Sequence, residues 1–379
     1  MCGLVPDASA AQDGPVRARG SRRLAERLAE RAAPSDRGAL SLDDLAALVY
    51  RELAADVAYD FACLAVTDPA SGVVTWASKT RSLGIGDEEF AAAEYGGPDV
   101  NKFEDIARRT PPVGLLSVDT NGHPETCRRH RDFMQPRFGF TDELRAAFVS
   151  RGAVWGALGV YRGPGDPPFT TEDGDAVAEA APVLAQAIQR SLFQLPADPD
   201  PATVDTGHGG PAVLVVDEAD RATHLTPAAR TALDELGGRD HGSLPANLLA
   251  VVATCRHTGA PFGTRVRTPA GQWLSLRAAP LAGDDADQPG SDAAETGRDV
   301  VVTVEPAPRA ALSRLALTAH GLTAREEEVA LLVLQGANTR SIAAALHLSP
   351  HTVQDHLKKV FAKVGVASRR ELTAKLMLA

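Results

Sequence analysis

The stretch from Leu322 to Ala379 constrains this chain more than any other, because it carries its own punctuation. Thr323 followed three residues later by Glu326 has the spacing of a capping box, in which hydroxyl and carboxylate each satisfy an orphan amide. Val329, Leu332 and Val333 recur at helical spacing, and Gly336 sits where a left-handed residue ends a helix. Asn338 is a good N-cap for a second helix that buries Ile342, Ala343 and Leu346. After a break at His347-Leu348, Ser349-Pro350 supplies a cap and a proline at the first helical position. The third helix then buries Val353, Leu357, Val360 and Val364 on one stripe. His351, Gln354, Asp355, Lys358 and Ala362 are left on the opposite face. A last helix from Arg369 carries Leu372, Leu376 and Met377 on an apolar face, which suits either dimerisation or packing onto the first helix of the same region.

A helix offering Gln and Lys outward, after a tight turn and a packing helix, has the geometry for entering a major groove. Gln pairs with adenine at two atoms, and Lys reaches guanine or a phosphate. The competing reading is a small helical domain whose polar face is only solvated. Caps, turn and exposed polar set all agree with the first.

These residues resemble the LuxR/NarL family of bacterial transcription regulators. The matching landmarks include Leu322-Thr323, Arg325-Glu326, Val329, Gly336, Ile342-Ala343, Leu346, Leu348-Ser349, Thr352-Val353, His356-Leu357, Lys363-Val364-Gly365-Val366 and Ser368-Arg369. The resemblance implies that Ser349 to Val364 is the recognition helix. By position, Gln354, Asp355 and Lys358 fall where the family contacts bases, and Arg340, Thr352 and Lys359 fall near phosphates. Ser349, His351 and Lys363 complete the expected interface. Asp355 departs from the basic or apolar residues common on that face; it would accept from a cytosine amine or orient Lys358.

Charge follows the same division. The whole chain carries 39 basic and 49 acidic residues, net −10. From Leu322 to Ala379 there are eight Lys/Arg against five Asp/Glu, +3, so the rest holds 31 against 44, −13. An acidic body with a basic end points to nucleic acid at the end alone. The excess is modest, so a useful affinity is expected to need a dimer.

The chain of 379 residues is long enough for two or three domains. No apolar run approaches a membrane span, and Met1 to Gly20 lacks the apolar core of a secretory signal. Four scattered cysteines (Cys2, Cys63, Cys127, Cys255) suit a reducing cytoplasm.

The first 40 residues are expected to be partly disordered, and residues 194–210, rich in Pro, Gly and Asp, read as a linker. A second such stretch, 283–297, reads as a loop inside a domain. Between them the body divides at 41–193 and 211–306, with 307–320 as a connector to 321–379. In the first part, Leu42 to Val57 is helical in pattern, and Phe61–Thr67 and Val73–Ser78 read as strands joined by a turn at Asp68-Pro-Ala-Ser-Gly. Asp142–Val149 and Ala153–Arg162 form another hairpin, and Phe169-Thr-Thr-Glu172 opens a helix striped by Val177, Ala181, Leu184 and Ile188. Pro182 should kink it. Trp155-Gly156-Ala-Leu-Gly, followed by Phe169 and Glu172, resembles a GAF domain. That resemblance implies a pocket under the segment from Arg81 to Arg137, with Phe103, His123, Cys127, His130 and Trp155 as candidate lining. His123, Cys127 and His130 at i, i+4 and i+7 align if the segment is helical, inviting a metal or redox site; a surface helix with a capping His and half-buried Cys is the plainer reading. Arg128 and Arg129 would lower the Cys127 pKa if they turn toward it.

The second part shows two strands from Val213, helices at Pro227 and Asn247, then three strands at Gly263, Gln272 and Val300. This order resembles a PAS domain. Val213-Leu-Val-Val-Asp217-Glu218 would also suit a phosphoacceptor receiver, but no lysine stands between Lys102 and Lys358, and that reading fails. The phosphate-binding Walker loop is missing too.

The expected fold class is therefore α+β multidomain: a GAF-like domain, a PAS-like domain and an all-α four-helix helix-turn-helix DNA-binding domain at the C-terminus. The expected function is a cytoplasmic one-component transcription regulator and not an enzyme, with no cofactor and no metal. Its expected partners are double-stranded operator DNA, RNA polymerase, a second copy of the chain, and a small-molecule effector. A protein effector is the alternative input. A GAF-fold thiol reductase using Cys63 or Cys127 is the enzymatic alternative, and it leaves the last helices without a purpose.

Overall fold

A computed structural model describes residues 23–34, 38–193, 210–281 and 299–377. The linker expected at 194–210 and the loop expected at 283–297 lie outside the described residues, Gly210 excepted. So do Met1 to Gly20 and Cys2.

Within residues 1–40, the described part carries a helix the sequence reading did not place. Helix α1 (Leu24–Arg31) buries Leu24 and Leu28, and Ala32 follows them into the core. Leucines four apart on one face give the segment a stripe to bury, and short polar runs around it hid that pattern. Its Arg27 guanidinium is fixed by Glu52 and Asp56, each at 3.0 Å.

Helix α2 (Leu42–Leu53) is capped by Ser41, whose hydroxyl accepts from the Asp44 amide. Strands β1 (Phe61–Thr67) and β2 (Val74–Lys79) follow as the expected hairpin. A lateral segment then runs through α3 (Glu88–Tyr95), α4 (Phe103–Ile106), β3 (Val113–Leu115), α5 (Leu116–Asp119) and α6 (Gln135–Phe138). Next come β4 (Asp142–Ser150), β5 (Ala153–Arg162) and α7 (Thr171–Leu192). Helix α7 continues through Pro182 as one element, closed at its start by a capping box of Thr170 and Asp173. The five antiparallel strands lie in the order β2-β1-β5-β4-β3. On one face Leu64, Val66, Leu144, Phe148 and Val160 meet α1, α2 and α7. On the other, Phe61, Phe140 and Tyr161 join Phe133 and Met134 of the lateral segment. Both faces of this sheet are thus covered.

The second sheet is built from β6 (Ala212–Val216) and β7 (Ala222–Leu225), helices α8 (Pro227–Glu235) and α9 (Ala246–Thr258), and β8 (Phe262–Arg267), β9 (Trp273–Pro280) and β10 (Val300–Pro306). Its strand order is β7-β6-β10-β9-β8, all antiparallel. Asp217 ends β6 as a hairpin residue paired to Arg221 at 2.8 Å, which has nothing in common with a phosphoacceptor aspartate on a parallel sheet. Helix α9 is apolar nearly all round because it is covered twice, by its own sheet and by α3 and β2 of the first. Two polar links reinforce that contact. Asn247 Nδ2 donates to the Thr75 carbonyl at 3.3 Å, and Arg265 Nε donates to the buried Asp68 carboxylate at 3.0 Å.

The connector expected at 307–320 is a helix, α10 (Arg309–Ala319). Leu315 packs into the first sheet's helix-side core, while Ala316 and Leu317 enter the core of the C-terminal helices. Phe193 packs against both cores and stacks on Trp273 of β9, with ring centroids 5.8 Å apart. The first sheet's helix-side core and the C-terminal core therefore meet at one small hub, to which the second sheet adds Trp273. The remaining helices are α11 (Ala324–Leu334), α12 (Thr339–Ala345), α13 (Pro350–Val364) and α14 (Arg369–Met377). No helix among the described residues is long and apolar enough to cross a membrane.

Candidate nucleic-acid interface

Each cap read from the C-terminal sequence is formed. Thr323 accepts from the Glu326 amide while Glu326 Oε2 accepts from the Thr323 amide at 2.8 Å. Asn338 Oδ1 accepts from the Ser341 amide at 2.9 Å, and Ser349 Oγ from the Thr352 amide at 3.1 Å. Gly336 and Gly365 take positive φ at the helix ends, and His347 does so in the tight turn before α13. These local bonds fix α12 and α13 at their angle. Val353, Leu357, Val360 and Val364 then bury one stripe of α13 against α11 and α12.

The opposite face of α13 is in solvent. His351 and Lys358 side chains are 88% and 77% exposed, and Gln354 and Lys359 are exposed as well. Asp355 stands between His351 (3.7 Å) and Lys358 (3.8 Å), so it tethers the two outward groups. Gln354 Nε2 donates to Thr339 Oγ1 at 3.2 Å, across the turn. Thr339 also receives Arg369 Nη2 at 2.9 Å, and Arg369 Nη1 donates to the Ala337 carbonyl. Ser349 and Arg340 are exposed and Thr352 half-buried. Lys363 differs from the others, because its ammonium lies 2.5 Å from the buried Glu326 carboxylate. Burial opposes ionisation of Glu326, yet hydrogen bonds from Lys363 and Thr323 outweigh it and hold the carboxyl below its usual range.

The apolar face of α14 is used within the chain. Leu372 and Leu376 are buried in the C-terminal core, where α14 meets α10 and α11. The link through Arg369 and Thr339 escaped the sequence reading, since neither residue type nor spacing announces a bond between the starts of two helices.

The first part holds a cavity whose lining differs from the expected set. A cavity of about 110 Å³ lies between the sheet and the lateral segment, walled by Phe61, Cys63, Phe90, Phe103, Arg145 and Tyr161 among others. Of the five expected lining residues only Phe103 faces it. Trp155 is fully buried in the core beneath the helices. His123 is exposed beside Glu125, and Cys127 and His130 are buried outside the cavity. Pro124 confines 124–126 to a 3₁₀ turn and Cys127 is extended, so His123, Cys127 and His130 share no helical face. No cluster of three or more His, Cys, Asp or Glu among the described residues is placed to hold a metal. Nor is the Cys127 thiol activated. Burial pushes it up to about 11 despite the neighbouring Arg129, and Cys63 is likewise pushed up to about 11.

The cavity's polar groups are the surprise. Arg129, Glu143 and Arg145 are almost wholly buried, with Arg129 Nη2 2.6 Å from Glu143 Oε2 and Arg145 Nη2 2.6 Å from Glu94 Oε2. Arg145 lies 3.6 Å above the Phe103 ring. The Nε and Nη1 atoms of both arginines are buried without a hydrogen-bond partner.

The model for bacterial regulatory proteins of the luxR family matches residues 320–376. The spore germination protein GerE of Bacillus subtilis is 38% identical over 56 residues, 15% of this chain and 76% of that protein. The chain belongs to the luxR family. Its C-terminal helices are that family's helix-turn-helix DNA-binding region. An HTH-type transcriptional regulator of Mycobacterium bovis is 36% identical over 92 residues, 24% of this chain, and the match spans only 10% of that much longer protein. The solved complex of phage VqmA with DPO covers 44% of this chain and 80% of its own at 16% identity, with a TM-score of 0.23. At that score the overlap carries no argument about the body.

Proposed function

We infer that this luxR-family chain is a one-component transcription regulator that reads operator DNA with α13. Gln354 and Lys358 meet base edges, with Asp355 orienting Lys358 and His351. Arg340, Ser349, Thr352 and Lys359 lie along the phosphates. Lys363 contributes chiefly by bracing Glu326 and only secondarily by its charge toward DNA. The observation that carries this reading is the division of α13 into a fully buried apolar stripe and an exposed Gln/Lys/His face. The chain acts as a homodimer, since the basic excess of its end is small. The first sheet is a GAF-like sensor and the second a PAS-like unit, and a small molecule enters the cavity beside Phe103 and Arg145. A protein effector is the second reading. It is favoured by the cavity's size, about 110 Å³, below the several hundred cubic ångströms of most ligand pockets.

The test is selection of genomic DNA fragments by the purified full chain, beside Gln354→Ala/Lys358→Ala. An inverted-repeat motif that disappears with the double variant is expected. The same motif retained at undiminished affinity by the variant would remove α13's outward face from the reading.

A further inference from the structure

A second, larger pocket of about 470 Å³ lies where the body meets the DNA-binding end. One wall comes from the body: the β4–β5 hairpin tip at Ser150-Arg151 and the end of α7 with Gln189, Arg190 and Phe193. The other comes from the C-terminal helices: His320, Gly321, Lys363 and Lys375. Arg151, Arg190, Lys363 and Lys375 converge here, and no carboxylate lines the pocket among the described residues. That concentration stands in a chain whose remainder is strongly acidic.

Several donors at this junction are uncommitted. Arg151 makes no hydrogen bond or ion pair among the described residues. Its guanidinium instead lies flat on Gly321, where a Cβ would fall 2.5 Å from Arg151 Cζ. Gly321 has φ +69°, a left-handed conformation that disfavours a larger residue. Arg190 Nη2 donates to the Ala32 carbonyl at 3.3 Å, while its Nε is buried with no partner. Lys375 spends one proton on the Val364 carbonyl at 2.7 Å, and Lys363 one on Glu326. Four cations against the single carboxylate of Glu326 leave a net positive site. Like charges held together in a recess, with a buried donor unpaired, are a cost that an anion would remove.

We propose that this junction binds a small phosphate-bearing molecule, with its dianionic group held by Arg151, Arg190, Lys363 and Lys375. The pocket volume suits a ligand the size of a nucleoside monophosphate. Phe193 offers an apolar wall for a ring, and the Gln186 and Gln189 amides offer polar contacts to its edge. Because Arg151 and Arg190 belong to the body and Lys363 belongs to α13, the ligand fastens the recognition helix's far end to the body. The site is separate from the cavity beside Phe103, and the proposal does not depend on that cavity being occupied.

The test is calorimetric titration of the full chain with pyrophosphate and with AMP at about 0.15 M ionic strength, with adenosine as the uncharged control. Saturable binding of pyrophosphate or AMP at one site per chain is expected, with Kd below about 1 mM and no binding of adenosine. Arg190→Gln and Arg151→Ser should each weaken it by roughly tenfold or more. Arg151 sits at an exposed tip, so its variant carries the test if Arg190→Gln does not fold. No saturable heat from either anion would overturn the proposal. So would binding that Arg151→Ser leaves unchanged, or that Gln354→Ala/Lys358→Ala abolishes instead, which would place the anion on the DNA-reading face.

Discussion

The DNA-binding end and the first sheet treat charge in opposite ways. In the C-terminal helices nearly every charge points to water. The one buried carboxylate, Glu326, is consumed by its own cap and by Lys363. In the first sheet Arg129, Glu143 and Arg145 lie inside, under the lateral segment, and several of their atoms are left unbonded. A surface that must meet a polyanion keeps its charges outward and its interior apolar. An interior that keeps arginines and a glutamate beside a cavity is spending stability on recognition or on a unique arrangement.

The difference can be broken experimentally, most sharply inside the first sheet. Arg129→Met strands Glu143 without its closest partner, and should cost about 3–5 kcal/mol of unfolding free energy, read by denaturant titration. A loss below about 1 kcal/mol would mean that water reaches the pair, and the contrast between the two regions would collapse. In the C-terminal helices the costs are local and smaller. Thr323→Ala removes one half of the capping box and should cost about 1 kcal/mol, seen as faster amide exchange at the start of α11. Exchange that speeds up equally across the first sheet would show that the two regions unfold as one unit.

The effect that depends on pH sits at the junction. Burial and, after it, the nearby Lys375 push His320 down to about 4. The unfolded chain therefore binds a proton at His320 between roughly pH 6.5 and 4 that the folded chain refuses. Stability from this group is intact above about pH 6.5 and is lost as pH falls through that window. Melting temperatures of the full chain and of His320→Gln should diverge between pH 7 and pH 4.5, with the variant less sensitive to acid. Parallel curves would show that the ring is solvated in the folded protein. Carboxylates such as Glu326, held low by their partners, titrate further down and affect both proteins alike.

Much of the fold was legible because its signals are local. The hairpins at Asp68–Gly72 and Ser150–Gly152 and the caps at Thr323, Asn338 and Ser349 follow from neighbours a few residues apart. Alternation along β4 puts Leu144, Ala146 and Phe148 in the helix-side core and Glu143 and Arg145 on the other face, which is buried as well. The lateral segment covers that face, and no pattern within β4 can announce a cover built from residues 81–141. The candidate lining failed for a related reason. Trp155 lies at the β4–β5 register shift, and its large ring went to the helix-side core, where strict alternation gives no guide. The α1 leucines were missed because a single short stripe within a polar N-terminal run carries too little periodicity to stand out.

By itself, then, the sequence determined the luxR-type helices, the main hairpins and long helices of the two sheets, and the outward Gln354/Lys358 face. Capping, turn chemistry and amphipathic period act over one or two helical turns. The tertiary structure alone decided the buried Arg129–Glu143–Arg145 network, the double covering of α9, the hub of Phe193, Trp273 and Leu315, and the cationic recess between Arg151 and Lys363. Each of these depends on side chains from separate elements of the chain. Their proximity is set by how whole layers pack to bury apolar area, which no local window of the chain contains.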